Sequence, residues 1–374
     1  MIQALALLMA LVLGGTAPAL AAPSGAAQAA VLAPLQLDAR PIPLAGALAD
    51  AEAWRAYKAR FVTEAGRVID TANGGISHSE GQGYGMLLAI AANDRAAFDR
   101  LWGWTSANLM VRDDELSAWR WEPNQRPAVS DMNNATDGDL LIAWALVEAA
   151  EAWSDPAYRV AARRIAVEVG RKAVVNKTKF EALLLPAVSG FAAEDRPDGP
   201  VLNLSYWVFP AFPRLAIVAP EIDWPGLRQS GLSLVRLARF GQANLPTEWI
   251  SAKGLKLAPA DGFAPTFSYN AIRIPLYLAW AGVGEREHYA PFAALWSRPG
   301  ADLPIVDVLT GRKVDAFAES GFASIASLVS CVVDGTPLSR SFLQPRANEN
   351  YYPATLHLLA VIAAQMRYRS CLGG

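Results

Sequence analysis

Residues 131–153 read DMNNATDGDLLIAWALVEAAEAW, and this stretch indicates the fold class. Its apolar residues recur at the i, i+3, i+4, i+7 and i+11 positions of an amphipathic helix. The residues with this spacing are Ile142, Ala145, Leu146, Ala149 and Trp153. Thr136 precedes the run and Asp139 follows three residues later, so we expect Thr136 to cap the helix. The stretch predicts a helix that starts among acidic and amide side chains.

The same helical spacing returns along most of the chain. It is found within the segments 98–109, 158–169, 289–296, 322–333 and 359–366. Alternation with period two, which is typical of strands, is limited to short stretches near 248–257 and 303–309. At the usual helix length of about 11–12 residues, we expect about ten to twelve helices. The sequence therefore predicts an all-α fold, and periodicity does not choose between a layered bundle and a closed ring of helical hairpins.

Composition narrows the classes of function. Of the 374 residues, 53% are hydrophobic and 18% are charged, which excludes a disordered chain. The formal net charge of −2 gives no indication of a nucleic-acid partner or of binding to an anionic membrane. Two cysteines exclude a cysteine-rich metal site, and the three histidines, His78, His288 and His357, are far apart in sequence. We therefore predict no metal and no organic cofactor.

The N-terminus has the pattern of a targeting segment. Residues 4–13 form an unbroken apolar run, which two glycines and Pro18 end. Ala19-Leu20-Ala21 then fits the small-x-small pattern of a signal-peptide cleavage site. We predict a signal peptide over residues 1–21. An uncleaved anchor is the alternative, and it is less favoured because ten residues are too few to span a hydrocarbon core of ~30 Å.

The rest of the chain is predicted to be exported. Residues 22–45 are rich in Ala, Pro and Leu and carry little charge, so they are interpreted as a tether, followed by a single domain over 46–374. We expect a periplasmic or secreted protein, without membrane insertion of the mature chain. Such a compartment would permit a disulfide between Cys331 and Cys371, although two cysteines alone do not show that they pair.

A first candidate site lies in residues 77–86, which read SHSEGQGYGM. Ser79 and Gln82 match a capping box, which places Glu80 in the first turn of a helix. A simple alternative is that Glu80 only interacts favourably with the positive end of that helix. Three glycines at alternate positions argue that this segment is more than an ordinary helix start, because each glycine costs up to ~1 kcal/mol of helix stability. Glycine is tolerated there if a ligand or another backbone comes close.

A second candidate is the acidic start of the helix quoted above. Asp131, Asp137 and Asp139 place three carboxylates, together with two amides, within nine residues. Like charges so close raise one another's pKa, whereas a helix N-terminus and hydrogen-bond donors lower it. Carboxyl groups whose pKa values are pushed apart are what acid–base hydrolysis requires. The alternative is an ordinary helix start that carries acidic residues.

Tryptophan side chains give a third signal. The chain has 12 Trp, of which four lie in or beside the predicted loops 110–133, 187–205 and 241–268. These four are Trp119, Trp121, Trp207 and Trp249. Aromatic rings on the surface provide flat apolar faces on which sugar rings can stack, although most of the 12 are expected in the core. Trp119 and Trp121 share one face of a strand-like segment, and Trp121 is the preferred stacking platform.

Four segments in order resemble the motifs of glycoside hydrolase family 8. They are residues 79–86, which contain Glu80; 135–146, which contain Asp137; 203–206, with Leu204 where proline is usual; and 268–275, which read SYNAIRIP. Within that family, the chain is most similar to the periplasmic endo-β-1,4-glucanases that accompany bacterial cellulose synthesis. The resemblance implies that residues 46–374 form one catalytic (α/α)6 barrel with an open acidic cleft. It further implies inverting hydrolysis within a β-1,4-glucan chain, with a bacterial cellulose synthase complex as a further partner.

The resemblance also implies roles for individual residues. Glu80 matches the general acid that protonates the leaving oxygen. Asp137 matches an acid that holds the central sugar in a distorted shape and supports developing positive charge. The remaining substrate contacts are expected from Tyr206, which helps to place the water, and from Arg273, Trp121 and Asp139.

Asn270 departs from the family pattern, because it stands where the general base is an aspartate. A neutral amide can orient water but cannot take its proton at neutral pH, and loss of a general base typically costs ~10²–10⁴-fold in rate. Three interpretations stay open: another carboxylate serves as the base, the enzyme is slow, or the protein binds glucan without cutting it. The loop carboxylates available as a base are Asp261, Glu248, Asp195 and Glu194.

Other substrates and functions are weighed against cellulose hydrolysis. Chitosan, xylan and mixed-linkage glucan are alternative substrates. A non-catalytic glucan-binding protein of a secretion system is supported by Asn270, whereas Glu80 and Asp137 argue against it. A polysaccharide lyase would need a His, Tyr or Lys base beside a uronate, and no histidine lies in a convincing constellation.

Overall fold

The computed structural model describes residues 40–297, 302–344 and 346–373. The predicted signal peptide and the first part of the predicted tether, residues 1–39, lie outside the described residues. At the end of the tether, Leu44 is buried, and its backbone N–H donates to Glu148 Oε2 at 3.4 Å. The end of the predicted tether therefore contacts the helical core through Leu44. None of the helices in the described ranges combines the length and hydropathy that a bilayer crossing requires.

Helices dominate the part of the chain that the structure describes, which contains eleven of them. They are α1 (Ala51–Phe61), α2 (Ser79–Ala91), α3 (Arg95–Asn108), α4 (Thr136–Ala152), α5 (Pro156–Lys172), α6 (Phe212–Val218), α7 (Trp224–Leu237), α8 (Arg273–Ala281), α9 (Arg286–Trp296), α10 (Ala323–Asp334) and α11 (Tyr351–Arg367). The six segments with helical spacing fall in α3, α4, α5, α9, α10 and α11, so these helix predictions are confirmed.

The helices are of two kinds, which differ in how much of their surface is buried. All of α8 is buried, as is every residue of α2 except Glu80 and every residue of α4 up to Ala149. In α3 and α5, by contrast, one face is buried and the other is exposed. Helix α2 packs against α3, α4 and α11, and α4 also packs against α5 and α6. The helices that carry the candidate acids therefore belong to the buried set.

Short strands accompany the helices, and two of them lie in the stretches near 248–257 and 303–309 where the sequence alternates. The described residues contain ten strands in four antiparallel sheets. They are β1 (Ser77–His78), β2 (Arg120–Trp121), β3 (Val174–Thr178), β4 (Glu181–Leu184), β5 (Val201–Leu202), β6 (Ile250–Ser251), β7 (Ala258–Pro259), β8 (Thr266–Phe267), β9 (Leu303–Asp307) and β10 (Lys313–Phe317). Strands of two to five residues are too short to show a reliable alternation of side chains.

One of these sheets brings the aromatic loop to the first candidate site. Strand β1 pairs with β2, so that Ser77 lies opposite Trp121 and His78 lies opposite Arg120. The backbone N–H of Ser79 then donates to the carbonyl of Trp119 at 3.0 Å. Because α2 begins at Ser79, the pairing fixes the aromatic loop beside the first turn of that helix.

Both predicted capping interactions are wrong, although both helix starts are correct. Helix α2 begins at Ser79 after His78, which makes no side-chain capping bond, and Gln82 Oε1 accepts from the N–H of Val68 at 2.6 Å instead. Helix α4 begins at Thr136, whose Oγ1 donates to the carbonyl of Leu185 at 2.8 Å. The side chains of Ser79, Gln82 and Thr136 are completely buried, so tertiary contacts take the place of the local caps.

The two cysteines are joined. A disulfide links Cys331 in α10 to Cys371 just beyond α11, with 6.1 Å between their Cα atoms. The two cysteines are 40 residues apart in sequence. A disulfide that closes a loop of this length stabilises the fold mainly by lowering the conformational entropy of the unfolded chain.

Candidate active site

Arg273 is the centre of the candidate site. Its side chain is 1% exposed at the start of α8, and its guanidinium contacts both predicted acids. Nη1 donates to Glu80 Oε1 at 2.5 Å and to Asp137 Oδ2 at 2.8 Å. Nη2 donates to Ser205 Oγ and to Asn270 Oδ1, both at 2.9 Å. One buried cation thus joins side chains from α2, α4, the 203–206 segment and the turn before α8.

Glycines explain how the first turns of α2 and α4 come so close. A Cβ on Gly138 would lie 2.1 Å from Ser79 Oγ and 2.8 Å from the backbone N of Glu80. A Cβ on Gly83 would lie 2.5 Å from the Cβ of Leu141. The two helices therefore touch through their backbones, which is the close approach that the alternate glycines of residues 81–85 predict.

We expect Gly138→Ala to destabilise the fold by about 1–3 kcal/mol, because the added methyl group has no space at the contact of α2 with α4. Chemical denaturation measures the change. The matched control is Gly103→Ala in α3, where a Cβ would meet nothing within 4 Å. At that exposed helical position alanine should stabilise by roughly 0.5–1 kcal/mol. Equal effects of the two substitutions would contradict the close contact.

The two acids differ in their access to solvent. The side chain of Asp137 is 2% exposed, whereas that of Glu80 is 22% exposed. Burial raises the pKa of Asp137 to about 7; the positive charge of Arg273 opposes this shift and the negative charge of Glu80 adds to it. Two carboxyl groups therefore face one guanidinium, and the buried one, Asp137, has the raised pKa. The more exposed of the two, Glu80, is the one that a ligand can reach.

Asp139, predicted to contact substrate, is turned away from the site. Its side chain is completely buried, and Oδ1 accepts from the N–H and Oγ of Ser117 at 2.8 and 2.7 Å. Oδ2 accepts from Asn134 Nδ2 at 2.9 Å, and burial raises the pKa of Asp139 to about 6. Because every one of these contacts is to the protein's own loops, we correct the role of Asp139 to that of a scaffold residue. Sequence spacing could not show in which direction its side chain points.

The 203–206 segment reaches the site through Ser205. Asn203 caps a short 3₁₀ turn, accepting from the N–H of Ser205 at 3.1 Å and from its Oγ at 2.7 Å. Tyr206 follows, and its ring centroid lies 5.7 Å from the Arg273 guanidinium carbon. Tyr206 therefore lies beside the guanidinium that both acids contact. Ser205 was not singled out from the sequence, although it lies within the quoted motif.

The four loop tryptophans are placed very differently. Trp121 is half-buried, with the guanidinium of Arg67 at 4.9 Å from its ring centroid and Trp104 edge-on at 5.5 Å. Trp207 is completely buried and donates from Nε1 to the carbonyl of Leu227, so it is a core residue. The ring of Trp249 stacks on the rings of Phe191 and Phe263, which lie in two different loops. Trp119 donates from Nε1 to Asp131 at 2.8 Å.

Of the four loop carboxylates considered as a base, Glu248 contacts Asn270. Its Oε1 accepts from the backbone N–H of Asn270 at 2.7 Å. Asp195 instead accepts from the N–H of Gly190 at 2.7 Å, within its own loop. The structure thus distinguishes Glu248 from Asp195 by its contact with the site, while Asp261 and Glu194 are exposed loop residues.

Comparison with known proteins identifies the family. The model of the family described as "Glycosyl hydrolases family 8" matches residues 42–366. A "Probable endoglucanase" from Novacetimonas hansenii is 38% identical over 85% of this chain and 93% of its own length. An "Endoglucanase" from Cellulomonas uda is 43% identical over 79% of this chain and 80% of its own length. The crystal structure of the endo-beta-1,4-glucanase CMCax from Acetobacter xylinum superposes with a TM-score of 0.77 at 37% identity, covering 86% of this chain and 98% of that one. The chain therefore belongs to glycosyl hydrolase family 8.

Proposed function

We propose that this protein is an exported endo-β-1,4-glucanase that hydrolyses cellulose with inversion at the anomeric carbon. The observation that carries the proposal is the contact of Glu80 and Asp137, from the first turns of two different helices, with the single guanidinium of Arg273. Membership of family 8 and relatives named endoglucanase support the reaction and the substrate. Family membership also removes the polysaccharide lyase alternative.

The proposed architecture is based on the difference between helices that are buried all round and helices with one exposed face. We propose that residues 46–374 form one (α/α)6 barrel, in which the helices that are buried all round, including α2, α4 and α8, make the inner ring. The helices with one exposed face, such as α3 and α5, then make the outer ring. This arrangement places the first turns of the inner helices at one end of the barrel, where a polymer can lie across them.

Export of the protein is part of the proposal. Residues 1–21 would be removed as a signal peptide, and residues 22–45 would act as a tether in the periplasm or outside the cell. The Cys331–Cys371 disulfide supports this location, because such bonds persist in oxidising compartments. A cellulose synthase complex is the proposed protein partner, in addition to the glucan substrate.

In the proposed mechanism Glu80 is the general acid. Of the two carboxyl groups around Arg273, Glu80 is the one that solvent and substrate reach, because 22% of its side chain is exposed. Glu80 donates a proton to the glycosidic oxygen as the bond to the anomeric carbon breaks. Arg273 then compensates the new negative charge on Glu80, while Asp137 supports the positive charge that develops on the sugar ring.

The remaining site residues are proposed to position sugar and water. Asn270, whose side-chain oxygen is held by Arg273, and Tyr206 orient the attacking water on the other face of the ring. Trp121 provides an aromatic face beside the first turn of α2, on which a neighbouring sugar stacks. In an inverting enzyme the acid and base lie ~6.5–9.5 Å apart, so that a water fits between them and the sugar.

A second function is favoured by one residue. Asn270 leaves the usual position of the base without a group that can take a proton. A protein of this kind could bind glucan in a secretion system without cutting it. The two functions differ in a simple result: the enzyme releases new reducing ends from carboxymethylcellulose, and the binding protein retains cellulose without releasing any.

We expect the wild-type protein to lower the viscosity of carboxymethylcellulose early, while few reducing ends have formed, because an endo-acting enzyme cuts inside the chain. Proton NMR of the first products should show the α-anomer, which inversion of a β-linkage generates. The same assay with chitosan, xylan and mixed-linkage glucan ranks the alternative substrates. A β-anomer as first product would contradict inversion, and binding without any release of ends would favour the second function.

A further inference from the structure

Resting on the proposed endoglucanase function, we infer that Glu248 accepts the proton of the attacking water, which Asn270 orients. Asn270 lies between two charged groups. Its Oδ1 accepts from Arg273 Nη2 at 2.9 Å, and Glu248 Oε1 accepts from the backbone N–H of the same residue at 2.7 Å. An aspartate there would place a second carboxylate directly against Glu248.

The Glu248 carboxylate is fixed at the entrance to α8. Its Oε1 accepts from the backbone N–H of Asn270 at 2.7 Å. The backbone N–H of Glu248 donates to the carbonyl of Thr266 at 3.1 Å, which ties its loop to the segment leading into the turn. A carboxylate has about four acceptor positions, so these bonds leave capacity for a water molecule. Glu248 is only partly exposed, and burial raises its pKa above the ordinary value, which makes it a stronger base.

Glu80 and Glu248 influence the same tyrosine. Burial is the main cause that raises the pKa of Tyr352 well above its ordinary value, and the negative charges of Glu80 and of Glu248 both add to the shift. The phenol of Tyr352 donates to the carbonyl of Tyr269, the residue before Asn270.

The proposed step balances in atoms and charge. The water oxygen forms a bond to the anomeric carbon, and one of its protons passes to the Glu248 carboxylate. The bond from that carbon to the leaving oxygen breaks, its electron pair stays with the oxygen, and Glu80 supplies the proton. Glu248 finishes protonated and Glu80 ionised, and exchange with solvent restores both groups.

Substitution at position 248 tests this role against a structural one. Glu248→Gln keeps an oxygen that accepts from the backbone N–H of Asn270, so a purely structural role would leave it close to wild type and impair only Glu248→Ala. For a base, both variants should lose about 10²–10⁴-fold in kcat on carboxymethylcellulose. The acidic limb of the wild-type pH profile of kcat/KM should also be absent from Glu248→Gln. Glu52→Gln, on the exposed surface of α1, is the control with unchanged kcat.

Moving the carboxylate back to position 270 gives the second test. We expect the double variant Glu248→Gln/Asn270→Asp to recover activity relative to Glu248→Gln, and Asn270→Asp alone to gain little. Added azide should also rescue Glu248→Gln and yield a glycosyl azide of inverted configuration, because a small anion needs no base. If Glu248→Gln keeps most of the wild-type kcat, or if Asn270→Asp alone gains ~10²-fold or more, Glu248 is not the base. Failure of the proposed function would differ, because the wild-type protein itself would release no reducing ends.

Discussion

Replacement of Glu80 by glutamine is expected to lower kcat on carboxymethylcellulose by about 10²–10⁴-fold, because the amide cannot give a proton to the leaving oxygen. The fold should stay intact, since the glutamine oxygen can still accept from Arg273 Nη1, the contact that Glu80 makes at 2.5 Å. Reducing-end release measures the rate, and chemical denaturation checks the stability.

The leaving group of the substrate separates loss of the acid from general damage to the site. A dinitrophenyl cellobioside has a leaving group that needs no protonation, so Glu80→Gln should retain most of its activity on this substrate. Glu52→Gln should be active on both substrates. An equal loss on the natural and on the activated substrate would show that Glu80 is not the general acid.

Replacement of Arg273 by methionine is expected to destabilise the fold by about 3–5 kcal/mol at pH 8, because it leaves two carboxylates in the site without their shared cation. Activity should be lost together with the positions of Glu80, Asp137 and Asn270. Urea denaturation at several pH values measures the stability. We expect Arg273→Met to lower the stability more than Glu80→Gln does, because the side chain of Arg273 is 1% exposed and water cannot take its place.

The pH dependence of this loss has a defined sign. The pKa of Asp137 is already raised in the folded wild-type protein, and removal of Arg273 raises it further. A carboxyl group with a raised folded pKa contributes stability below its unfolded pKa and loses it as the pH rises through the folded pKa. The difference between Arg273→Met and wild type should therefore shrink at pH 5 and grow at pH 8.

A second buried arginine provides the control for this variant. Arg214 is 8% exposed, and its Nε donates to Glu148 Oε1 at 2.6 Å, while Nη2 contacts Glu151. Arg214→Met should also be destabilised, but its folded fraction should keep the wild-type kcat, because these partners are not site residues. Equal kcat values for the two folded variants would contradict a role for Arg273 in the site.

Local features of the sequence predicted most of the helices correctly. The helical spacing in α3, α4 and α5 follows from which residues face the core, so it is visible in a single segment. The starts of α2 and α4 were also correct, because acidic residues and small polar residues collect there. Most of the short strands were missed, because pairing depends on distant segments: Ser77 in β1 pairs with Trp121 in β2, 44 positions further along the chain.

In the candidate site, too, the sequence predicted some features correctly and missed others. The motifs drew attention to Glu80, Asp137, Tyr206 and Arg273, and the structure brings these residues together. Asp139 lies only two residues from Asp137, yet its carboxylate points into the protein and binds Ser117. Ser79 and Thr136 likewise find buried surroundings instead of making local caps. Neighbouring positions on a helix face different directions, and the sequence does not show which distant segment lies in each direction.

The sequence by itself determined the helical class and the starts of the two acidic helices, because both depend on spacing within a few turns, and it drew attention to Glu80 and Asp137 as candidate acids. Only the tertiary structure decided that Arg273 joins Glu80 and Asp137, over separations of 193 and 136 residues. It also decided which loop carboxylate meets Asn270. The physical reason is that the pKa and the partners of a polar side chain depend on burial and on groups that arrive from distant parts of the chain.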